Sequence, residues 1–276
     1  KVVVGVDDQA DTVGAQLTRL LTTLGCEISP LPEGASFSAR TSGEIRAKCL
    51  PTLGIQVKQE GADLGVFLVG NGECIILVDE EGAAVEEEQF TALLSLLALK
   101  YTGVETIPLP VTAPRFVEEV VRAHQGKVVR TKVSPRALME KVAEAKIFLA
   151  GDGRSSFQAA YDGFYALVKI LELMAREKQG LSQLVALLPP YYTDRKQVNC
   201  SWEDKGRIMR HLFEENKEKE IEVIDGLKVF HDQGWALVLP DAEDPVFQIY
   251  SEAASPEAAT ALTNLYSSRI SELQLT

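Results

Sequence analysis

The residues best suited to chemistry lie in loops that follow apolar, strand-like stretches. One loop reads Val69-Gly70-Asn71-Gly72-Glu73-Cys74 and lies between the apolar runs 64–68 and 75–78. A hard cation such as Mg²⁺ requires several anionic oxygen ligands. Val69 cannot ligate a metal, Asn71 offers a neutral carbonyl, and Glu73 adds one carboxylate. These residue types favour a tight turn over a Mg²⁺ site, so we predict no metal cofactor here.

Charged residues mark three further places where a ligand could bind. Arg130 and Lys132 lie at the end of a strand-like stretch and could meet an anion. Asp152 and Arg154 share a polar loop, in which the guanidinium could contact a phosphate. The turn Leu239-Pro240-Asp241-Ala242-Glu243-Asp244-Pro245 carries acids instead, and these would repel a phosphate. For the basic residues, exposure to solvent without a function is the competing interpretation.

Other chemistries find little support in the residue pattern. The histidines His124, His211 and His231 have no Ser, Cys or Asp at a spacing typical of nucleophilic catalysis. The sequence has no Gly-x-Gly-x-x-Gly or P-loop pattern for a nucleotide. A net charge of −12 argues against nucleic acid and anionic membranes as partners. Because no such nucleophile spacing is present, we predict no catalytic residue among the histidines.

The cysteines and the apolar runs favour a cytoplasmic protein. The four cysteines are scattered without a Cys-x-x-Cys spacing, as is typical of reduced thiols. The longest apolar stretch, 90–99, is about half the length of a membrane span. The sequence starts at Lys1 and at once has a buried-strand pattern, so we expect a piece of a longer polypeptide.

A repeated βαβ pattern must position these loops. Residues 1–6 predict a strand, Leu17, Leu20, Leu21 and Leu24 predict one face of a helix, and residues 27–31 predict a second strand. The same order recurs with strands at 105–109 and 127–131. The helix between those two strands presents Val117, Val120, Val121 and His124 on one face. Two related α/β domains in tandem are therefore expected.

Each copy continues with a helix and a buried strand that ends in a glycine loop, at 63–70 and at 145–151. In the second copy Ser134 and Pro135 predict a helix start, and Asp162-Gly163 precedes an apolar helix closed by Gly180. Pro189-Pro190 marks a boundary. Beyond it we predict a charged helix at 203–219 and short strands at 227–230, 235–239 and 246–250. A final helix from Ser255-Pro256 is predicted to bury Leu262, Leu265, Tyr266 and Ile270.

The order of several short motifs resembles the α-D-phosphohexomutases, the phosphoglucomutase and phosphomannomutase family. Besides the loop at 69–74 and its flanking strands, the motifs are Arg130-Thr131-Lys132-Val133, Asp162-Gly163, Leu181-Ser182-Gln183-Leu184, Asp225-Gly226-Leu227-Lys228-Val229 and Trp235-Ala236-Leu237-Val238-Leu239-Pro240. The resemblance covers essentially the whole chain. It implies an α/β fold with two tandem mutase-type domains, at 1–100 and 101–191, followed by a smaller α+β domain at 192–276.

The resemblance also implies what the loops have lost. The family's metal loop reads Asp-Gly-Asp-Ala/Gly-Asp-Arg and holds one Mg²⁺, and the aspartate positions are here Val69, Asn71 and Glu73. The sugar loop Glu-x-Ser-Gly-His corresponds to residues 152–156, with Asp152 in place of the glutamate. The phosphate loop Arg-x-Ser-Gly-Thr-Glu-Pro corresponds to residues 239–245, with Leu239, Asp241, Glu243 and Asp244 as degenerate equivalents.

Three hypotheses follow from the resemblance. The first is a non-catalytic mutase-like module of a larger sugar-1-phosphate nucleotidyltransferase, such as a mannose-1-phosphate guanylyltransferase. The second is an authentic phosphohexomutase whose phosphoserine domain lies upstream, since no Thr-x-Ser-His-Asn-Pro stretch is present here. The third is a binding module whose cleft takes a non-phosphorylated or cationic ligand.

Overall fold

The computed structural model describes residues 1–6, 11–32, 42–69, 72, 74–144 and 162–275. The chain divides into two compact units. The first contains Lys1–Ile107, Val120–Gly126 and Lys146–Leu188, and the second contains Pro108–Glu119, Lys127–Ala145 and Pro189–Thr276. One break between the units follows Leu188, next to the predicted boundary at Pro189-Pro190. The domain limits at 100/101 and 191/192 stay a prediction.

A five-stranded sheet forms the centre of the first unit. Its strands, in spatial order, are β2 (Ile28–Pro30), β1 (Val2–Val6), β3 (Leu64–Val69), β4 (Cys74–Asp79) and β5 (Ala84–Val85). The strand β1 pairs in parallel with β2 and β3, whereas β3 and β4 are antiparallel. The parallel pairings require crossover helices, which are α1 (Asp11–Thr23) and α2 (Ser42–Glu60). The first predicted βαβ unit is therefore confirmed.

Three more helices belong to the first unit: α3 (Glu87–Tyr101), α6 (Gly163–Glu177) and α7 (Leu181–Ala186). Their apolar faces join one sheet face in a core that includes Leu17, Leu64, Leu93, Leu167 and Ile170. The helix α6 ends at Lys178, which has a left-handed backbone with φ of 54°. Gly180 instead caps the start of α7, so our prediction that Gly180 closes the apolar helix was wrong.

The second copy of the repeat has the predicted order as far as residue 144. Its elements are β6 (Thr106–Pro110), α4 (Arg115–Ala123), β7 (Lys127–Thr131) and α5 (Pro135–Glu144). The strands β6 and β7 pair with each other. The Ala137 amide donates to Ser134 Oγ at 3.3 Å, which confirms the predicted helix start. The strand predicted at 145–151 lies outside the described residues.

A five-stranded antiparallel sheet, called the C-terminal sheet below, dominates the second unit. Its strands, in spatial order, are β8 (Tyr192–Asn199), β12 (Val246–Ala253), β11 (Gly234–Pro240), β10 (Leu227–His231) and β9 (Ile221–Glu222). The helices α8 (Trp202–Asn216) and α9 (Pro256–Gln274) share one apolar core with one face of this sheet. On the other face, Trp235, Leu237 and Leu239 pack against Val111.

Several details depart from the predicted pattern. The strand β8 was not predicted, because Asp194, Arg195 and Lys196 follow one another along it and it contributes little apolar surface. Leu24 is 50% exposed, since it follows the end of α1. Leu265 is 53% exposed, because the buried stripe of α9 passes through Thr263, Tyr266 and Ile270. Within the described ranges, no helix has the length and apolar character needed to cross a membrane.

We predict that Gly226→Ala destabilises the second unit. Gly226 has φ of +76°, and a Cβ atom there would crowd the Val238 carbonyl oxygen and lie 3.1 Å from Leu239 Cα. The strained backbone and the clash with main-chain atoms should together cost about 2 kcal/mol or more. The midpoint of thermal unfolding should fall by several degrees.

Gly206→Ala is the matched control. Gly206 lies inside α8, and a Cβ atom there has no neighbour within 4 Å. The better helix propensity of alanine should stabilise the protein by up to about 1 kcal/mol. Equal changes in the unfolding midpoint for the two variants would contradict this account of Gly226.

Candidate functional site

The loop first considered for a metal begins with a short turn. The Gly72 amide donates to the Val69 carbonyl at 3.3 Å, and the Gly72 carbonyl accepts from the Gly163 amide at 2.8 Å. Gly72 has φ of +87°, and a Cβ atom there would lie 2.8 Å from Phe164 Cε2, so glycine is required at this close approach. Asn71 and Glu73 lie outside the described residues. Among the residues that are described, no group of three or more His, Cys, Asp or Glu could hold a metal.

The loop with Asp152 and Arg154 also lies outside the described residues. The chain is described again from Asp162, whose carboxylate accepts the Tyr165 amide at 3.0 Å. This contact caps α6 and satisfies one of its free amide groups. The sugar-loop prediction at Asp152 and Arg154 therefore stays a prediction.

The turn between β11 and β12 is fully described, and Asp241 organises it. Asp241 Oδ1 accepts the backbone amides of Glu243 at 2.9 Å and of Asp244 at 3.0 Å. The other carboxylate oxygen accepts Gln248 Nε2 at 3.2 Å. These amides stabilise the charged carboxylate and so lower the pKa of Asp241 below its ordinary value. The amide groups that an anion would need are thus already bound to the protein's own carboxylate.

A buried lysine holds the same turn. Lys205 is 7% exposed and donates from Nζ to the carbonyl oxygens of Asp241 at 2.6 Å and of Asp244 at 2.5 Å. Its ammonium also lies 3.8 Å from the centre of the Trp202 ring. The cation is directed at main-chain carbonyls, while Glu243 and Asp244 are exposed. The outer surface of this turn is therefore acidic.

The start of the turn is apolar, at the position where the sequence resemblance implies a cation in the family. Leu239 occupies that position, is 8% exposed, and packs with Trp235 and Leu237 in an apolar cluster. A phosphate cannot bind to an aliphatic side chain through hydrogen bonds. Leu239 thus contributes to the apolar packing of the sheet and offers no charge to a ligand.

Arg130 and Lys132, the basic pair that could meet an anion, lie in two different environments. Arg130 has a side chain that is 14% exposed, and its Nη1 donates to the carbonyls of Pro110 at 3.1 Å and Ala113 at 2.9 Å. Its Nη2 forms an ion pair with Glu118 at 3.1 Å. Lys132, the residue after β7, is exposed. Arg130 therefore stabilises the turn between β6 and α4.

The sequence analysis did not single out a polar cluster on the face of the C-terminal sheet that carries Leu237 and Leu239. Trp235 Nε1 donates to Glu252 Oε2 at 2.8 Å, and the Arg115 amide donates to the same oxygen at 2.5 Å. Lys228 Nζ lies 3.7 Å from the centre of the Trp235 ring and donates to the Val111 carbonyl at 3.3 Å. Lys228 lies between Leu227 and Val229 along β10, a pattern that is also typical of a solvent-facing side chain.

Burial controls the charge of this lysine. Lys228 is 3% exposed, and the loss of hydration lowers its pKa from 10.5 to about 8, aided by the positive charge of Arg130. The carboxylates of Glu222, Glu252 and Glu118 act in the opposite direction. Desolvation is the larger effect because the carbonyl oxygen and the ring faces replace only part of the water shell.

Comparison with known proteins identifies the family. Residues 88–191 match the family model described as phosphoglucomutase/phosphomannomutase, alpha/beta/alpha domain III. A probable phosphoglucosamine mutase of Methanopyrus kandleri is 30% identical over 253 residues, which are 88% of this chain and 56% of that protein. A phosphoglucomutase/phosphomannomutase of Thermococcus kodakarensis is 27% identical over 263 residues, 92% of this chain and 57% of that protein.

Solved structures agree in fold. A phosphoglucomutase/phosphomannomutase family protein from Burkholderia thailandensis has a TM-score of 0.78 at 22% identity, over 99% of this chain and 60% of that one. The N-acetylphosphoglucosamine mutase of Aspergillus fumigatus has a TM-score of 0.63 at 12% identity, over 98% and 66%. The chain belongs to the α-D-phosphohexomutase family and has its multi-domain α/β fold. It spans little more than half the length of the curated relatives it matches.

We predict that Asp241→Asn destabilises the second unit at neutral pH, by about 1 to 2 kcal/mol for the loss of two charge-assisted hydrogen bonds. Because the folded protein lowers the pKa of Asp241, this stabilisation is present above the pKa of the unfolded chain. It disappears as the pH falls through the folded pKa. Thermal unfolding midpoints of the parent and the variant should differ at pH 7, and the difference should shrink as the pH falls below the ordinary aspartate value of 3.8. A difference that is independent of pH would contradict this role.

Proposed function

We propose that this chain is a phosphohexomutase-type module with a degenerate phosphate site, and that it does not catalyse phosphoryl exchange by itself. The arrangement of the turn at 239–245 is the observation that carries this proposal. Asp241 binds the two amides that could hold a phosphate, and Leu239 stands where the family has an arginine. The module would then contribute structure or interactions to a larger polypeptide.

Electrostatics supports the same proposal. A phosphate dianion placed about 4 Å from one carboxylate faces a repulsion of about 2 kcal/mol in water, and more where water is excluded. The turn presents Glu243 and Asp244 at its exposed surface and has Asp241 within it. Lys205 does not offset these charges for a ligand, because its ammonium donates to the carbonyls of the turn.

The larger polypeptide is proposed to be a sugar-1-phosphate nucleotidyltransferase, with a mannose-1-phosphate guanylyltransferase as the specific candidate. In such a chain, the nucleotidyltransferase domain would carry the chemistry. The mutase-like module would need neither a phosphoserine nor Mg²⁺. The partial coverage of the curated relatives is compatible with attachment to another domain.

An authentic phosphohexomutase is the second candidate, and the names of the relatives favour it. The proteins of Methanopyrus kandleri and Thermococcus kodakarensis are described as mutases. A phosphoserine domain on the same polypeptide would then be required. Mutase activity on glucose 1-phosphate, mannose 1-phosphate or glucosamine 1-phosphate, with a bisphosphate primer and Mg²⁺, would support this candidate and overturn the first.

Titration calorimetry tests whether the chain binds sugar phosphates. We expect no heat when glucose 1-phosphate or mannose 1-phosphate is added to millimolar concentration, with or without Mg²⁺. The turn at 239–245 is acidic, and two of its amides are already bound to Asp241. A dissociation constant near 1 μM, about −8 kcal/mol, would overturn the proposal. Calorimetry of Arg154→Ala and Lys132→Ala would then identify which of these two cations binds the sugar phosphate.

A variant of the turn at 239–245 tests why the chain is proposed not to bind phosphate. Asp241→Ser/Ala242→Gly/Glu243→Thr introduces the family's Ser-Gly-Thr sequence, removes two negative charges and frees the backbone amides at 243 and 244. We expect this variant to bind inorganic phosphate at millimolar concentration in calorimetry, whereas the parent chain does not.

Glu220→Thr/Asp232→Ser is the matched control for net charge. Both residues are exposed and lie outside the turn, so this variant should bind no better than the parent. Equal binding of phosphate by the control and the loop variant would indicate that net charge, rather than Asp241, excludes the phosphate.

A further inference from the structure

Residues 110–115, called the clasp segment, connect β6 to α4 and lie against the C-terminal sheet within the second unit. Val111 is 1% exposed and packs with Trp235, Leu237 and Leu239. The Arg115 amide at the start of α4 donates to Glu252, where a carboxylate is favoured by the helix dipole. The clasp segment is thus joined to the sheet at both of its ends.

Lys228 provides the remaining polar contact between the clasp segment and the sheet. Its ammonium donates to the Val111 carbonyl at 3.3 Å and faces two aromatic rings, Trp235 at 3.7 Å and Phe230 at 5.9 Å. A carbonyl and two ring faces replace water poorly as ligands of a primary ammonium. Moving the clasp segment away from the sheet would let water reach Nζ.

The charged groups around Lys228 come from four neighbouring elements. They are Arg130 on β7, Glu118 on α4, Glu222 on β9 and Glu252 on β12. The apolar cluster beneath the clasp segment also contains Tyr250 of β12. Arg130 and Glu118 form their own ion pair, and Glu252 is bound to Trp235 and the Arg115 amide. No partner among these makes a direct ion pair with Lys228 in the described part of the chain.

We propose that Lys228 is a proton-controlled latch: in mildly alkaline solution, opening of the clasp segment takes up a proton on Lys228 and closing releases it. The clasp segment then binds the C-terminal sheet more tightly in mildly alkaline solution than at neutral pH. The proposal concerns contacts within the second unit and is independent of any sugar-phosphate binding.

The direction of the pH effect follows from linkage. In the closed state the pKa of Lys228 is about 8, whereas a hydrated lysine has a value of 10.5. Below pH 8 both states carry the proton, and the balance between them does not change with pH. Between the two values the open state binds more protons, so a rise in pH favours the closed state.

Hydrogen exchange measures this balance directly. The Arg115 amide donates to Glu252 of the sheet and should exchange only when the clasp segment opens, whereas the Val111 amide donates to Thr131 O of β7 at 2.9 Å. Pulsed exchange with mass spectrometry of peptides covering 108–116 gives protection factors after correction for intrinsic rates. We expect them to be flat between pH 6.5 and 7.5 and to increase about 30-fold by pH 9.5.

Substitutions of Lys228 separate the latch from other causes of the pH effect. Lys228→Met and Lys228→Arg should both remove the increase, since methionine carries no proton and arginine does not lose its own in this range. Lys127→Met, at an exposed lysine of β7, should leave the increase unchanged. A flat profile in the parent chain, or an increase that persists in Lys228→Arg, would overturn the proposal.

A direct titration keeps the test decisive if Lys228→Met fails to fold. In protein labelled with ¹³C at the lysine Cε, one resonance should titrate with a midpoint near pH 8 and be absent from Lys228→Arg. Titration of every lysine resonance near pH 10.5 would overturn the proposal, because the closed state would then have no preference for the neutral amine.

Discussion

The second unit depends on the burial of a cation and an anion that both contact one indole ring. Trp235 is 4% exposed, with Lys228 against its face and Glu252 at its Nε1. Each charge also binds the backbone of the segment at 110–115, through Val111 and Arg115. A buried charge must be compensated, so these contacts determine where that segment can lie. They connect residues that are more than 100 positions apart in the chain.

The turn at 239–245 also has to compensate its polar groups, and here the groups are backbone amides and carbonyls. A turn rich in free amides has to satisfy them with a ligand, with water or with its own side chains. Asp241 satisfies two of these amides, and Lys205 satisfies two of the turn's carbonyls. A turn that is complete in this way keeps its shape without a ligand. Asp241 and Lys205 thus explain how this turn keeps its conformation within a phosphohexomutase fold.

Much of the architecture could be predicted from short-range pattern. The β-branched run at 1–6, the leucines Leu17 and Leu21, and the cap at Ser134 each report local geometry, and each was confirmed. The strand β8 was missed because its partner is β12, some 50 residues later, and its own residues are polar. Leu265 was misplaced because two helical faces of α9 carry apolar residues, and packing selects one of them.

The sequence by itself determined the order of helices and strands, the family, and the residue types that each loop can offer a ligand. These properties follow from side-chain chemistry and from periodicities of 2 and 3.6 residues. Tertiary structure alone decided what the charged side chains do. For Arg130 the sequence left open a contact with an anion or exposure without a function, and in the structure its guanidinium binds Pro110, Ala113 and Glu118. Lys228 was given no role from the sequence and is buried against Trp235. Both outcomes depend on which distant backbone carbonyls and carboxylates surround the cation after folding, and spacing along the chain does not encode those distances.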